Sequence, residues 1–168
     1  MAQEKKVAIV TAGGGGIGRA IALELHDRGY DLALMSRSEM CEKTAAEVGG
    51  LGIRGSVTEA QDLSKLVEVT VARFGRIDSV VCHTAHPPKG DLLDIDDEAW
   101  HLGLDMLILN VVRLARKITP IMEAQGGGTW VNISTFAAFE PEQALPVSCT
   151  LGLGCPHSPS YMRTVTLA

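Results

Sequence analysis

Apolar runs and amphipathic stretches alternate along this chain from its first residues. Lys6–Thr11 is a continuous apolar run of strand length, as expected of a strand buried on both faces. In Gly16–Arg28, residues Ile17, Ala20, Ile21, Leu23 and Leu25 supply the inner face of a predicted helix, with Gly29 as its C-cap. Asp31–Met35 reads as a second strand, followed by Ser38 as an N-cap and a polar helix through Val48. Leu51–Val57 is a weaker third strand. Thr58-Glu59-Ala60-Gln61 has the character of a helix start, and that helix runs to Phe74, where Gly75 stops it. Ile77–His83 is a fourth strand, and Pro87-Pro88-Lys89-Gly90 a loop. Asp96 opens a helical stretch with a break near Gly103 that continues to Gln125; Gly126–Gly128 ends it, and Thr129–Ser134 is a fifth strand. Strand and helix alternating in this way predict an α/β protein built on one doubly wound parallel sheet, with right-handed crossovers.

After Cys149 the periodicity lapses. Leu151–Tyr161 follows neither a strand nor a helix period and holds Pro156 and Pro159. The chain therefore divides into a domain over 1–150 and an aberrant or disordered tail over 151–168. A sheet truncated after the fifth strand has an open edge and exposed apolar surface, so marginal stability is expected. Translation out of frame accounts for such a tail. One base inserted after the Leu151 codon permits a helix-compatible segment and an Arg at the position of Gly152. A natural short terminus is the alternative.

Bulk properties narrow the function classes. The 168 residues suit one domain, and 46% apolar with 21% charged residues is ordinary for a globular protein. A net charge of −5 without a basic tract argues against a nucleic-acid partner. Cys41, Cys82, Cys149 and Cys155 lack CxxC spacing and read as free thiols rather than as a metal site or disulfides. The start Met-Ala-Gln-Glu-Lys-Lys has no apolar leader, and no segment reaches the ~20 apolar residues of a membrane span. The expectation is a cytoplasmic protein with no membrane partner and no metal.

The chemistry concentrates in Thr11-Ala12-Gly13-Gly14-Gly15-Gly16-Ile17-Gly18, between the first strand and first helix. Glycines remove the side chains that would keep a phosphate from the backbone. The helix that follows offers unpaired N–H groups and the positive end of its dipole. Such a turn in a Rossmann-like sheet is suited to a nucleotide or dinucleotide.

Taken with Asn132-Ile133-Ser134-Thr135 at the fifth strand, this turn makes Lys6 to about Thr150 resemble the short-chain dehydrogenase/reductase family, with Ala12 where that family has its first glycine. The resemblance implies an oxidoreductase that uses NAD(P)(H) for hydride transfer to or from a small carbonyl or alcohol substrate. It assigns the cofactor to Thr11, Gly13, Gly14, Gly15, Gly16, Ile17 and Gly18 of the first turn. At the end of the second strand, Met35-Ser36-Arg37 lacks the carboxylate that would hold the adenosine ribose, and Arg37 suits a 2′-phosphate, so NADP is expected and NAD is possible. Ser56 and Val57 fall beside the adenine, where the family commonly has Asp-Val. Cys82-His83-Thr84-Ala85 replaces Asn-Asn-Ala-Gly and puts His83, Thr84 and Ala85 at the nicotinamide side, with His86 beyond them. The family's helical Asn falls near Leu107, one turn before Asn110.

The proton relay departs further. Thr135 takes the position of the family's catalytic Ser and Ser148 that of its Tyr, while Gly152, in place of the Lys, offers no cation. An alkyl hydroxyl is far less acidic than a phenol. Tyr161 has no Lys four residues on. The resemblance implies a homo-oligomer for a full-length parent, an implication weakened for this chain. A non-catalytic dinucleotide-binding protein and an inactive truncated product both stay open beside the enzyme.

Overall fold

The structure is a computed structural model that describes residues 5–152 and, in backbone only, 162–167. Six parallel strands form one sheet: β1 (Val7–Thr11), β2 (Asp31–Ser36), β3 (Leu51–Arg54), β4 (Ser79–Cys82), β5 (Thr129–Thr135) and β6 (Met162–Leu167), in the spatial order β3-β2-β1-β4-β5-β6. Six α-helices accompany them: α1 (Gly16–Asp27), α2 (Met40–Glu47), α3 (Ala60–Phe74), α4 (Asp97–Leu104), α5 (Asn110–Ala124) and α6 (Pro146–Gly152). The expected doubly wound α/β class is what the chain adopts.

Alternation along the strands sorts the core into two layers. Ile9, Met35, Val80 and Trp130 face one way and pack with Leu63 and Leu66 of α3 and Leu114, Ile118 and Met122 of α5. Ala8, Val10, Leu32 and Leu34 face the other way, onto Ala22 of α1 and Cys41 and Ala45 of α2. Each of the large side chains removed from water stabilises the fold by about 1.5–3 kcal/mol. The strand order reverses direction between β1 and β4, and a crevice opens at the carboxyl ends of strands at such a point.

Several boundaries differ from the sequence expectation for local reasons. β3 stops at Arg54 because the Ser56 N–H turns to Asp62 Oδ2 of α3, at 2.8 Å. β4 spans Ser79–Cys82, and the residues flanking it, Asp78 and His83, join it to β1. The Asp78 N–H donates to the Val7 carbonyl, and the Val7 N–H to Asp78 Oδ2, each at 2.8 Å. Ser38 is not the cap of α2; its carbonyl accepts the Ser36 hydroxyl at 3.0 Å, and the helix starts at Met40. Asp96 does cap α4, with Oδ1 accepting from the Ala99 N–H at 2.8 Å. The helix does not break near Gly103; a π-helical turn, Asp105–Leu109, carries α4 into α5.

Beyond β5 the expectation is corrected in two places. The fifth strand is not the edge of the sheet, because β6 pairs with it in parallel from Trp130↔Met162 to Thr135↔Leu167. Between them stands α6, which the lapse in periodicity hides. It packs so tightly on α4 that a Cβ at Gly103 would lie 2.3 Å from Val147 Cγ1. Residues 153–161, with Cys155 and Tyr161, lie outside the described residues.

Candidate dinucleotide site and adjoining cavity

The Gly-rich turn is shaped by close approaches of backbone to backbone. β1 ends in Thr11, and Ala12 turns the chain with a left-handed φ of 50°, a conformation that favours the glycine the family has there. A Cβ on Gly18 would stand 2.2 Å from the Ala12 carbonyl oxygen, so only glycine lets α1 sit this close to the end of β1. A Cβ on Gly14 would meet Ser36 Oγ at 2.6 Å and the Cys41 backbone nitrogen at 2.7 Å. Gly15 has open space before it, and the first turn of α1 carries no acidic side chain. Its N–H groups and dipole are therefore free to favour an anion.

A cavity of about 820 Å³ opens over this turn. Gly14 and Gly15 form one wall, Ser36, Arg37 and Ser38 from the end of β2 a second, Ser56 and Val57 a third, and Thr84 and Ala85 a fourth. Arg37 is exposed and has no acidic partner among the described residues. The size and the glycine cradle fit a dinucleotide.

The remaining predicted residues do not line this cavity. Thr11 works beneath it: its hydroxyl donates to the His83 carbonyl at 2.6 Å and accepts the His83 N–H at 2.8 Å, fastening β1 to the end of β4. Gly13 donates its N–H to the Met35 carbonyl at 3.1 Å, and Gly16 adopts a φ of 49° at the start of α1. Ile17 and the side of His83 face a second cavity.

This second cavity, about 380 Å³, shares Thr84, Ala85, His86 and Pro87 with the first. It brings Thr135 and Ser148 together with His83. Thr135 Oγ1 accepts the Ala137 N–H at 3.2 Å and caps a short 3-10 turn, Phe136–Ala138. Ser148 is buried on α6. Gly152 closes the floor; the Ser134 hydroxyl donates to its carbonyl at 3.0 Å, and a Cβ there would lie 3.2 Å from Thr135 Cγ2. Leu107 lines the cavity, whereas Asn110 turns its amide back to the Met106 carbonyl and lines neither cavity. Burial pushes the His83 imidazole pKa below its ordinary value, and neighbouring His86 pushes it the same way.

Sequence reasoning missed Lys89, Glu142 and Leu145, which also line the second cavity. The available signal was Pro146, whose fixed φ suits a first helical position and marks the start of α6. Among the described residues, no group of three His, Cys, Asp or Glu side chains is placed to hold a metal ion, and no helix is long and apolar enough to cross a membrane. Cys41 and Cys149 are free thiols.

Known proteins agree with this geometry. Residues 6–150 match the short chain dehydrogenase family. The Oryctolagus cuniculus protein named dehydrogenase/reductase SDR family member 4 is 35% identical over 147 residues, which cover 83% of this chain and 56% of that protein. Its Homo sapiens namesake is 35% identical over 143 residues, 81% and 51% of the respective chains. The chain thus spans about half the length of the curated relatives it matches. The crystal structure of L-sorbose reductase from Gluconobacter frateurii, complexed with NADPH and L-sorbose, superposes with a TM-score of 0.83 at 26% identity, over 92% of this chain and 61% of that one. A short-chain dehydrogenase from Streptomyces avermitilis, at 24% identity and a TM-score of 0.84 over 91% of this chain and 57% of that one, has the same fold. By its residues, its fold and these matches, the chain belongs to the short-chain dehydrogenase/reductase family.

Proposed function

We propose that the larger cavity binds NADP(H) and the smaller one a small carbonyl or alcohol compound, as an oxidoreductase of this family requires. The observation that carries the reading is the junction of the two cavities at Thr84–Pro87, with Arg37 at the far end of the larger one. The dinucleotide, when bound, supplies the acceptor or donor of hydride.

Each wall has a task in this reading. The Gly14–Gly15 backbone and the α1 N-terminus hold the pyrophosphate. Arg37, with Ser36 and Ser38 beside it, holds a 2′-phosphate by charge-assisted hydrogen bonds, which selects NADP over NAD. Ser56 and Val57 border the adenine, while Thr84 and Ala85 border the nicotinamide ribose. In the smaller cavity Thr135 Oγ1 already accepts the Ala137 N–H, so its own proton is left for a substrate oxygen. Ser148 offers a second hydroxyl in the same space.

Titration of the chain with NADPH and with NADH, followed by the emission of the reduced nicotinamide, tests this reading. NADPH is expected to bind at least tenfold more tightly than NADH. Binding of neither would overturn it. A second reading, a dinucleotide-binding protein without turnover, draws on Ser148 and Gly152 at the family's Tyr and Lys positions. NADPH binding with no oxidation or reduction across a panel of carbonyls and alcohols would favour that one.

A further inference from the structure

The second cavity contains no phenol and no lysine at the family's relay positions, yet it is lined by a titratable residue whose main chain is anchored, His83. We infer that the His83 imidazole is the proton-transfer group of this site, the base in alcohol oxidation and the acid in carbonyl reduction. This rests on the reading of the two cavities as dinucleotide and substrate sites.

Among the described residues, four with titratable side chains line the cavity: His83, His86, Lys89 and Glu142. His86, Lys89 and Glu142 are exposed, whereas His83 is half-buried. Its backbone is locked on both sides by one hydroxyl, since Thr11 Oγ1 donates to the His83 carbonyl and accepts the His83 N–H. With its main chain anchored, the ring is limited to the positions its side-chain rotamers reach from that point on the cavity wall, and a proton-transfer group must be positioned within reach in this way. His83 lines the same cavity as Thr135 and Ser148, the residues whose hydroxyls would orient a substrate oxygen. The groups with charge facing it are His86 and Lys89 from its own loop and Glu142 from the segment before α6; the walls from α1, β5, the π-helical turn and α6 contribute none.

The proton balance is simple. A secondary alcohol gives its hydroxyl proton to a ring nitrogen of His83, and the hydrogen on its carbinol carbon leaves with both electrons to the oxidised dinucleotide. The products are the ketone, the reduced dinucleotide and an imidazolium, which returns its proton to water past exposed His86. A neutral imidazole can accept that proton, and burial holds His83 toward the neutral form. Oxidation should therefore rise with pH through the His83 titration, and reduction should fall.

The test uses the full chain and does not depend on turnover alone. The His83 and His86 imidazoles are titrated by long-range proton–nitrogen NMR with saturating NADP+ and again with saturating NADPH. Oxidised nicotinamide carries a positive ring charge and the reduced ring does not. His83 should therefore bind its proton about tenfold more weakly in the NADP+ complex, with a smaller change at exposed His86. Identical His83 titrations in the two complexes would overturn the inference. His83→Gln should keep NADPH affinity within about twofold while turnover of a secondary-alcohol panel falls by about 100-fold or more. A tenfold loss of NADPH affinity would instead make His83 a dinucleotide-holding residue, and unchanged turnover or a wild-type pH profile flat across its titration would equally sink the role. If neither dinucleotide moves the Gly13–Gly18 amide signals, or no panel member reacts, the oxidoreductase reading fails and this inference with it. That failure is distinct from amides that move and substrates that react while His83 stays indifferent.

Discussion

The two cavities adjoin and share a wall, but they are made of different material. The larger is shaped by main chain: a glycine turn, the start of a helix, and the ends of β1 and β2 drawn within contact distance of each other. The smaller is shaped by side chains from separate segments, among them His83 after β4, Leu107 in the π-helical turn, Thr135 on β5 and Ser148 on α6. Backbone geometry constrains few residue identities, and those few must be glycine. Side-chain geometry constrains many identities, and each can be exchanged singly. This explains why the dinucleotide turn keeps the family pattern apart from Ala12, while the proton relay has Ser and Gly at positions where the family has Tyr and Lys.

The largest expected effect separates the two kinds of wall. Gly18→Ala places a methyl group 2.2 Å from the Ala12 carbonyl oxygen, and neither backbone can yield without parting α1 from β1. A loss of about 3 kcal/mol or more in urea denaturation is expected. Gly152→Ala in the smaller cavity meets Thr135 Cγ2 at 3.2 Å, Ala138 Cβ at 3.3 Å and Ser134 Oγ at 3.6 Å, contacts that small shifts relieve. Its loss should stay below about 1 kcal/mol. Equal losses for the two variants would erase the distinction drawn between the cavities.

A smaller effect is expected at the seam between the two halves of the sheet. Asp78 accepts the Val7 N–H through Oδ2 and both arms of the Arg76 guanidinium, at 2.7 and 2.8 Å. Burial pushes its carboxyl pKa up, but the Arg76 hydrogen bonds and the Val7 N–H outweigh burial and leave it below the ordinary range. A carboxyl depressed in the folded state adds stability above its unfolded pKa, near 4, and that contribution disappears as pH falls through the depressed value. Asp78→Asn should lose about 2 kcal/mol at neutral pH and show a flatter stability profile below about pH 4. Because the segments that follow β1 and β4 wall both cavities, the variant should disturb them alike. Loss confined to one cavity would show that the seam is not shared.

Legibility in the sequence follows the same divide. The strands announce themselves because burial on both faces requires continuous apolar runs, as in Val7–Val10 and Leu32–Met35. The turn announces itself because nothing but glycine fits at Gly18. Strand ends depart from the expectation where a side chain takes over a backbone role: Asp78 and Thr11 trim β4, and Asp62 trims β3. The π-helical turn is invisible because its residues also satisfy a helical period. The short α6 and its seat against Gly103 depend on tertiary contact rather than on its own pattern. Position alone assigns His83 to the nicotinamide side, but no periodicity could reveal that it lines one cavity with Thr135 and Ser148.

The smallest effect is the most selective. Arg37 is exposed and has no acidic partner among the described residues, so removing its side chain should leave folding stability unchanged within about 0.5 kcal/mol. In binding it has one expected task, the charge-assisted contact to a 2′-phosphate that NADPH carries and NADH does not. Arg37→Ala should weaken NADPH about tenfold, roughly 1.4 kcal/mol, and leave NADH binding where it was. The wild-type preference for NADPH should shrink as salt rises, since an exposed charge pair is screened, and the variant should lose most of that salt sensitivity. If NADPH and NADH weaken together, Arg37 serves the shared part of the dinucleotide. If neither changes, the 2′-phosphate is held by backbone and by Ser36 and Ser38. That outcome would make even cofactor choice a property of the main-chain wall.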